Sequence, residues 1–163
     1  MRFQALSLLA AVSLLAACST APENSGAAGG TGAATPTAPA TSGVRPGSQQ
    51  DLAATAGDRV YFAYDRSDIS PEARAILTKQ ADWLKRNANV TVTVEGHCDE
   101  RGTREYNLAL GERRATAVKN VLVALGIPAN RVSTISYGKE RPAVVGSTEA
   151  AWAQNRRGVT TVN

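Results

Sequence analysis

The densest run of chemically capable side chains is Glu95-Gly96-His97-Cys98-Asp99-Glu100-Arg101-Gly102-Thr103. It holds the chain's one histidine and, apart from Cys18, its other cysteine. His97, Cys98 and Asp99 together raise two possibilities, a metal centre and a cysteine nucleophile, and the spacing argues against both. Zinc takes three or four ligands converging on one point, whereas consecutive residues of an extended segment point in alternating directions. A nucleophilic cysteine needs a base within hydrogen-bond reach, which its neighbours along such a segment seldom supply. The expectation is therefore no catalytic residue, no metal and no cofactor. His97 and Thr103 are expected to contribute to the loop or border a ligand, and Cys98 reads as a small buried side chain.

Farther along, Arg114 occupies an unusual place. On a helix from about Arg104 to Leu125, residues Leu110, Ala117, Val118 and Val121 make an apolar stripe. At about 100° per residue, Arg114 lies about 40° from Leu110 and Val118 and about 20° from Asn107. A guanidinium bordering an apolar face is costly unless a carboxylate or a ligand satisfies it. Asp99, in the loop preceding the same helix, is an available partner. Two readings follow: a structural Asp99–Arg114 ion pair, or two opposite charges held for a ligand.

These residues need a scaffold, and the periodicities supply one. Arg59 to Tyr64 alternates, with Val60, Phe62 and Tyr64 on one face of a strand. Ser70-Pro71-Glu72 then offers an N-cap, a first-turn proline and an early acidic residue to a helix carrying Ala73, Ile76, Leu77, Ala81 and Leu84, which should stop around Asn87. Val90, Val92 and Val94 mark a second strand, and Gly96 to Thr103 is a loop. The long helix stops at Gly126 with Pro128 beyond. Val132 to Tyr137 is a third strand, Thr148 to about Asn155 a short helix, and Gly158 to Val162 a closing strand. The fold class is α+β: β-α-β-α-β-α-β in two layers, helices on one face of a mixed four-stranded sheet, with two strand-helix-strand crossovers imposing parallel neighbours. Trp83 and Trp152 read as packing or partner-surface residues.

The remaining third of the chain is different material. Between Phe3 and Tyr61 there is no aromatic residue. Met1-Arg2 followed by the apolar run Ala5 to Ala17 is too short to span a bilayer, so 1–17 reads as a secretory signal. Leu15-Ala16-Ala17-Cys18 resembles the lipobox of bacterial lipoproteins, which implies lipidation of Cys18 and stable anchoring by acyl chains in membrane lipid. Ser19 stands where that class often carries an inner-membrane-retaining Asp, which favours the outer membrane. Residues 18–57 read as the lipidated N-terminus and a disordered Ala/Thr/Gly/Pro tether, spanning on the order of 35 Å. Residues 58–163 form the folded domain. The formal net charge of +4 includes no run of five basic residues, and nucleic acid is not an expected partner.

Gly96-His97-Cys98-Asp99-Glu100-Arg101-Gly102, Tyr106-Asn107, Leu110 and Gly111-Glu112-Arg113-Arg114-Ala115 resemble the signature of OmpA-like peptidoglycan-binding domains. Val60-Tyr61-Phe62, Ser136-Tyr137-Gly138 and Asn155-Arg156-Arg157 extend the likeness, and the lipobox and tether suit the lipoprotein branch of the Tol–Pal system. The resemblance implies binding of the diaminopimelate residue of peptidoglycan stem peptides, with Asp99 on its ammonium group and Arg114 on its carboxylate. It further implies Asp65, Asn107 and Arg156 as pocket members and TolB as a partner of a periplasm-facing domain. Two other classes stand beside this reading: a peptidoglycan-processing enzyme and a structural lipoprotein without wall affinity.

Overall fold

Ser48 opens the first helix, α1 (Gln49–Thr55), its hydroxyl accepting the Asp51 N–H. The computed structural model describes residues 44–163. The expected signal segment 1–17, Cys18, Ser19 and the tether as far as residue 43 lie outside the described residues. Helix α1 lies upstream of Asp58, where the composition places the beginning of the folded domain. Leu52 is fully buried in the core. Asp51 accepts the Trp83 indole N–H at 3.0 Å, and the Gln49 amide oxygen accepts the Val162 N–H at 2.8 Å. One apolar side chain and a few polar ties hold a segment whose average composition resembles a linker.

Strand β1 (Arg59–Tyr61) leads to α2 (Pro71–Arg86), whose N-cap is Ser70 with Pro71 in the first turn. Then come β2 (Val92–His97), α3 (Arg104–Ala124), a 3-10 turn at Ala129–Arg131, β3 (Val132–Gly138), α4 (Glu149–Asn155) and β4 (Arg157–Val162). Among the described residues the four strands make one sheet in the order β1-β4-β2-β3. The α+β class and the mixed sheet agree with the sequence reading, but the neighbours do not. Strand β4 inserts antiparallel between β1 and β2, so only the β2–β3 pair is parallel. Strand β1 also ends at Tyr61, short of the expected Tyr64.

The core lies between the sheet and helices α2 and α3, around Leu77, Leu84, Trp83, Val92, Val94 and Leu122. Gln80 is buried there without penalty: its amide donates to the Gly57 carbonyl and its oxygen accepts from the Thr160 hydroxyl, both at 2.8 Å. Helix α3 sits unusually close to β2. A Cβ on Gly96 would fall 1.8 Å from the Gly111 carbonyl oxygen, and one on Gly111 would fall 2.2 Å from the Ser136 hydroxyl. Backbone therefore packs on backbone. Gly96 precedes Asp99 by three residues and Gly111 precedes Arg114 by three, so this contact sets how the two charged residues face each other. Among the described residues no helix is long and apolar enough to cross a membrane.

Candidate functional site

At the C-terminal end of β2 a cavity of about 290 Å³ opens between the loop after β1, the loop entering α3 and the first turns of α3. Asp65, Asp99, Asn107 and Arg114 line it, with Cys98 and Leu110 in the wall and Tyr64, Arg101, Gly102 and Tyr106 completing it. Four of the five expected ligand-binding residues are thus brought to one space. The fifth, Arg156, is not.

Asp99 is 4% exposed and heavily bonded. Its Oδ1 accepts the Arg101 backbone N–H and Nε, both at 3.1 Å, and its Oδ2 accepts Arg101 Nη2 at 2.6 Å. Burial pushes the carboxyl up, but the Arg101 hydrogen bonds and charge, helped by Arg156, outweigh it and hold Asp99 below its ordinary value. Asp99 is a carboxylate at neutral pH.

Arg114 is fully buried on the inner wall. Its Nε donates to the Arg66 carbonyl at 2.8 Å, Nη1 to the His97 carbonyl at 2.8 Å and Nη2 to the Ala63 carbonyl at 3.1 Å. The Phe62 ring lies 5.2 Å from its Cζ. Burial lowers its pKa from the ordinary value. The simple Asp99–Arg114 ion pair is replaced by a different solution: backbone carbonyls satisfy the cation, and other cations satisfy Asp99. A guanidinium has five N–H donors, so two remain beyond these three bonds.

Asp65 adopts a left-handed backbone, φ 54°, which a short polar side chain tolerates, and it accepts a hydrogen bond from the Tyr106 hydroxyl. That bond raises the Tyr106 pKa and ties the β1 loop to α3 across the cavity. Asn107 donates to the Arg101 and Thr103 carbonyls at 2.8 and 3.0 Å, so it braces the loop as well as lining the cavity.

Arg156 and the His97 ring lie away from the cavity, and Thr103 serves the loop. Arg156 lies behind Asp99, its Nη1 3.4 Å from Oδ2, its Nε on the Phe62 carbonyl and its Nη2 on Glu149, and it supports the carboxylate instead of facing the cavity. His97 enters only through its carbonyl on Arg114. Its ring, 2% exposed, lies at Glu95 and Tyr137, on the opposite side of the strand, with Nδ1 unpartnered. Burial, then the Arg157 charge, lowers His97 to about 4, so it is neutral. Thr103 caps α3 by accepting the Tyr106 N–H at 3.2 Å. Cys98 is buried, as expected, with its thiol free, and burial raises its pKa.

The residue that sequence reasoning missed is Arg101. Its Cζ lies 4.0 Å from the Tyr64 ring centroid and 4.0 Å from that of Trp152, a two-sided cation–π clamp above Asp99. The clamp joins the β1 loop, the α3 loop and α4, positions no local pattern links. Trp152 also donates its indole N–H to Glu100 at 3.1 Å, and Lys139 Nζ pins the Gly102 carbonyl at 2.7 Å. Among the described residues no group of three or more His, Cys, Asp or Glu is placed to hold a metal ion.

Residues 61–156 match the OmpA family. The chain belongs to the OmpA family. Within it, a Brucella melitensis relative named peptidoglycan-associated lipoprotein is 53% identical over 118 residues, covering 72% of this chain and 70% of its own. A Pseudomonas aeruginosa relative of the same name is 52% identical over 119 residues, covering 72% and 70%. The crystal structure of the peptidoglycan-associated lipoprotein from Burkholderia pseudomallei matches with TM-score 0.64 and 40% identity, over 65% of this chain and 90% of that one. The C-terminal domain of Helicobacter pylori MotB shares the fold at TM-score 0.61 and 21% identity, over 65% and 84%. The OmpA signature Gly96 to Ala115 spans the end of β2, the loop and the first half of α3, which are the elements that build the cavity.

Proposed function

We propose that this OmpA-family chain is a lipoprotein that binds peptidoglycan non-covalently in the cavity at the end of β2. The observation that carries the reading is the placement of Asp99 and Arg114 in one small cavity, each with its charge intact and neither neutralised by the other. A space bounded by one anion and one cation complements a zwitterionic amino-acid end such as that of diaminopimelate. Asp99 takes the ammonium group, and Arg114 gives its two remaining donors to the carboxylate. Asp65, Tyr106 and Asn107 frame the entrance, while Arg156 holds Asp99 in place. A ligand that leaves either buried charge unpaired is disfavoured, which supplies selectivity. The relatives named peptidoglycan-associated lipoprotein support peptidoglycan as the ligand.

On this reading the protein is not an enzyme. Removal of residues 1–17 and acylation of Cys18 anchor it in the outer membrane, the intervening segment gives reach, and the domain faces the periplasm. There it ties membrane to wall within the Tol–Pal system, with TolB as a protein partner and a role in envelope integrity and cell division. Cosedimentation with purified sacculi tests the binding: wild type pellets with them, Asp99→Asn stays largely in solution, and no muropeptide is released. Full pelleting of a folded Asp99→Asn protein would remove the assigned site. Replacing Cys18 with Ala abolishes labelling by a radioactive fatty acid; persistent labelling contradicts the anchor.

A further inference from the structure

The peptidoglycan reading gives Asp99 to a ligand's ammonium group, yet Asp99 already holds a cation. Arg101 grips it as a fork, Nε on Oδ1 and Nη2 on Oδ2, while Arg156 stands 3.4 Å from Oδ2. Little of the carboxylate is left for another donor. Three guanidinium groups, those of Arg101, Arg114 and Arg156, stand around the one buried carboxylate of Asp99, and Glu149 offers a second carboxylate to Arg156 at 2.7 Å and, more distantly, to Arg101 at 4.0 Å. A ligand carboxylate gains from that balance. A ligand ammonium can bond Asp99 fully only in place of one of the two cations that hold it.

Arg101 is built to be the one that leaves. Arg114 and Arg156 are deeply buried and tied to backbone carbonyls, whereas the Arg101 side chain is 29% exposed and lies at the cavity mouth. Its clamp includes Tyr64, itself 60% exposed. The Arg101 backbone N–H bonds Asp99 Oδ1 independently of the guanidinium, and Lys139 fixes the carbonyls of Glu100 and Gly102. The side chain can therefore swing away while the loop stays in place.

We propose that Arg101 is an internal stand-in for the ligand's ammonium group: clamped between Tyr64 and Trp152, it neutralises Asp99 in the free protein and is displaced when a zwitterionic ligand enters. The inference rests on the peptidoglycan reading of the cavity. Displacing a bound cation reduces the apparent affinity by the fraction of molecules in which Asp99 is free, so removing the stand-in raises it.

Calorimetric titration of the full chain with a synthetic stem peptide containing diaminopimelate tests the proposal. Arg101→Gln binds at least about fivefold more tightly than wild type, and Trp152→Leu, which loosens the clamp, shifts affinity the same way by less. In wild type, binding changes Trp152 emission as the guanidinium leaves the ring; in Arg101→Gln that change is lost. Should Arg101→Gln fail to fold, Arg101→Lys, which keeps the charge and loses the fork, carries the same test with a smaller gain. Unchanged or weaker binding by a folded Arg101 variant, with wild type binding normally, overturns the stand-in alone. If neither wild type nor variant binds the peptide, the peptidoglycan reading falls and the stand-in with it.

Discussion

Asp99 and Arg114 line the same cavity but are satisfied by different groups, Asp99 by the Arg101 fork and Arg156, and Arg114 by the carbonyl oxygens of Ala63, Arg66 and His97. On the proposed reading a direct ion pair would close the site to a zwitterion, whereas separate partners leave an anion and a cation that one ligand can reach once Arg101 gives way. The separation depends on the backbone contact of Gly96 with Gly111, which places the loop carrying Asp99 over the helix carrying Arg114.

Arg114 should be as important to the fold as to the ligand. Arg114→Met keeps an apolar stem but leaves three inward-facing carbonyls without a donor, at an expected cost of about 3–5 kcal/mol. Urea unfolding at neutral pH measures it. Asp99→Asn is close to isosteric and should lose less, which makes it the cleaner probe of binding.

Stability should fall in mild acid through His97. Its folded-state pKa of about 4 lies below the ordinary 6.5, because burial and the Arg157 charge oppose protonation. The unfolded chain therefore binds the proton first, and stability present above pH 6.5 is lost as pH falls toward about 4. The loss is about 3 kcal/mol at most. Unfolding curves across this range should slope for wild type and flatten for His97→Gln, which leaves the carbonyl on Arg114 in place. Asp99, held below its ordinary 3.8, contributes its own loss only at lower pH.

Either Gly96→Ala or Gly111→Ala should force α3 off the sheet. The new Cβ would meet backbone at 1.8 Å in the first case, and the Ser136 hydroxyl at 2.2 Å in the second. An overpacking cost of about 3 kcal/mol or more is expected, with thermal unfolding as the measurement. Ligand binding should weaken in any molecules that remain folded.

The signature around Asp99 and Arg114 was legible because it is local: a strand end, a loop and a helix in succession. Strand order was not, because period-two alternation marks a strand without naming its neighbours, and β4 enters between β1 and β2 from the far end of the chain. Tyr64 continued the alternation of Val60 and Phe62, yet the chain turns at Asp65 and presents that ring to Arg101. The Arg101 clamp needs Tyr64 and Trp152, far apart in sequence, to converge. Arg156 belonged to the motif but faces the back of Asp99, a distinction that depends on the direction of a side chain. Helix α1 escaped notice because Leu52 is its one large apolar residue.

Leu52 supplies the test of the domain boundary. A chain beginning at Asp58 loses that buried side chain and the Asp51 acceptor of Trp83, and should unfold at a clearly lower temperature than one beginning at Val44. Leu52→Ala alone should cost about 2–5 kcal/mol. Equal stability of the two truncations would show α1 to be dispensable.

The central claim, a cavity matched to a zwitterionic end, is tested most directly by calorimetric titration with two stem peptides that differ at one residue. One carries diaminopimelate, whose side chain ends in both an ammonium group and a carboxylate; the other carries lysine, which ends in the ammonium group alone. The diaminopimelate peptide should bind at least about tenfold more tightly, a difference of about 1.4 kcal/mol or more, because only it satisfies Arg114 as well as Asp99. Equal affinity for the two peptides, or binding of neither, would contradict the account.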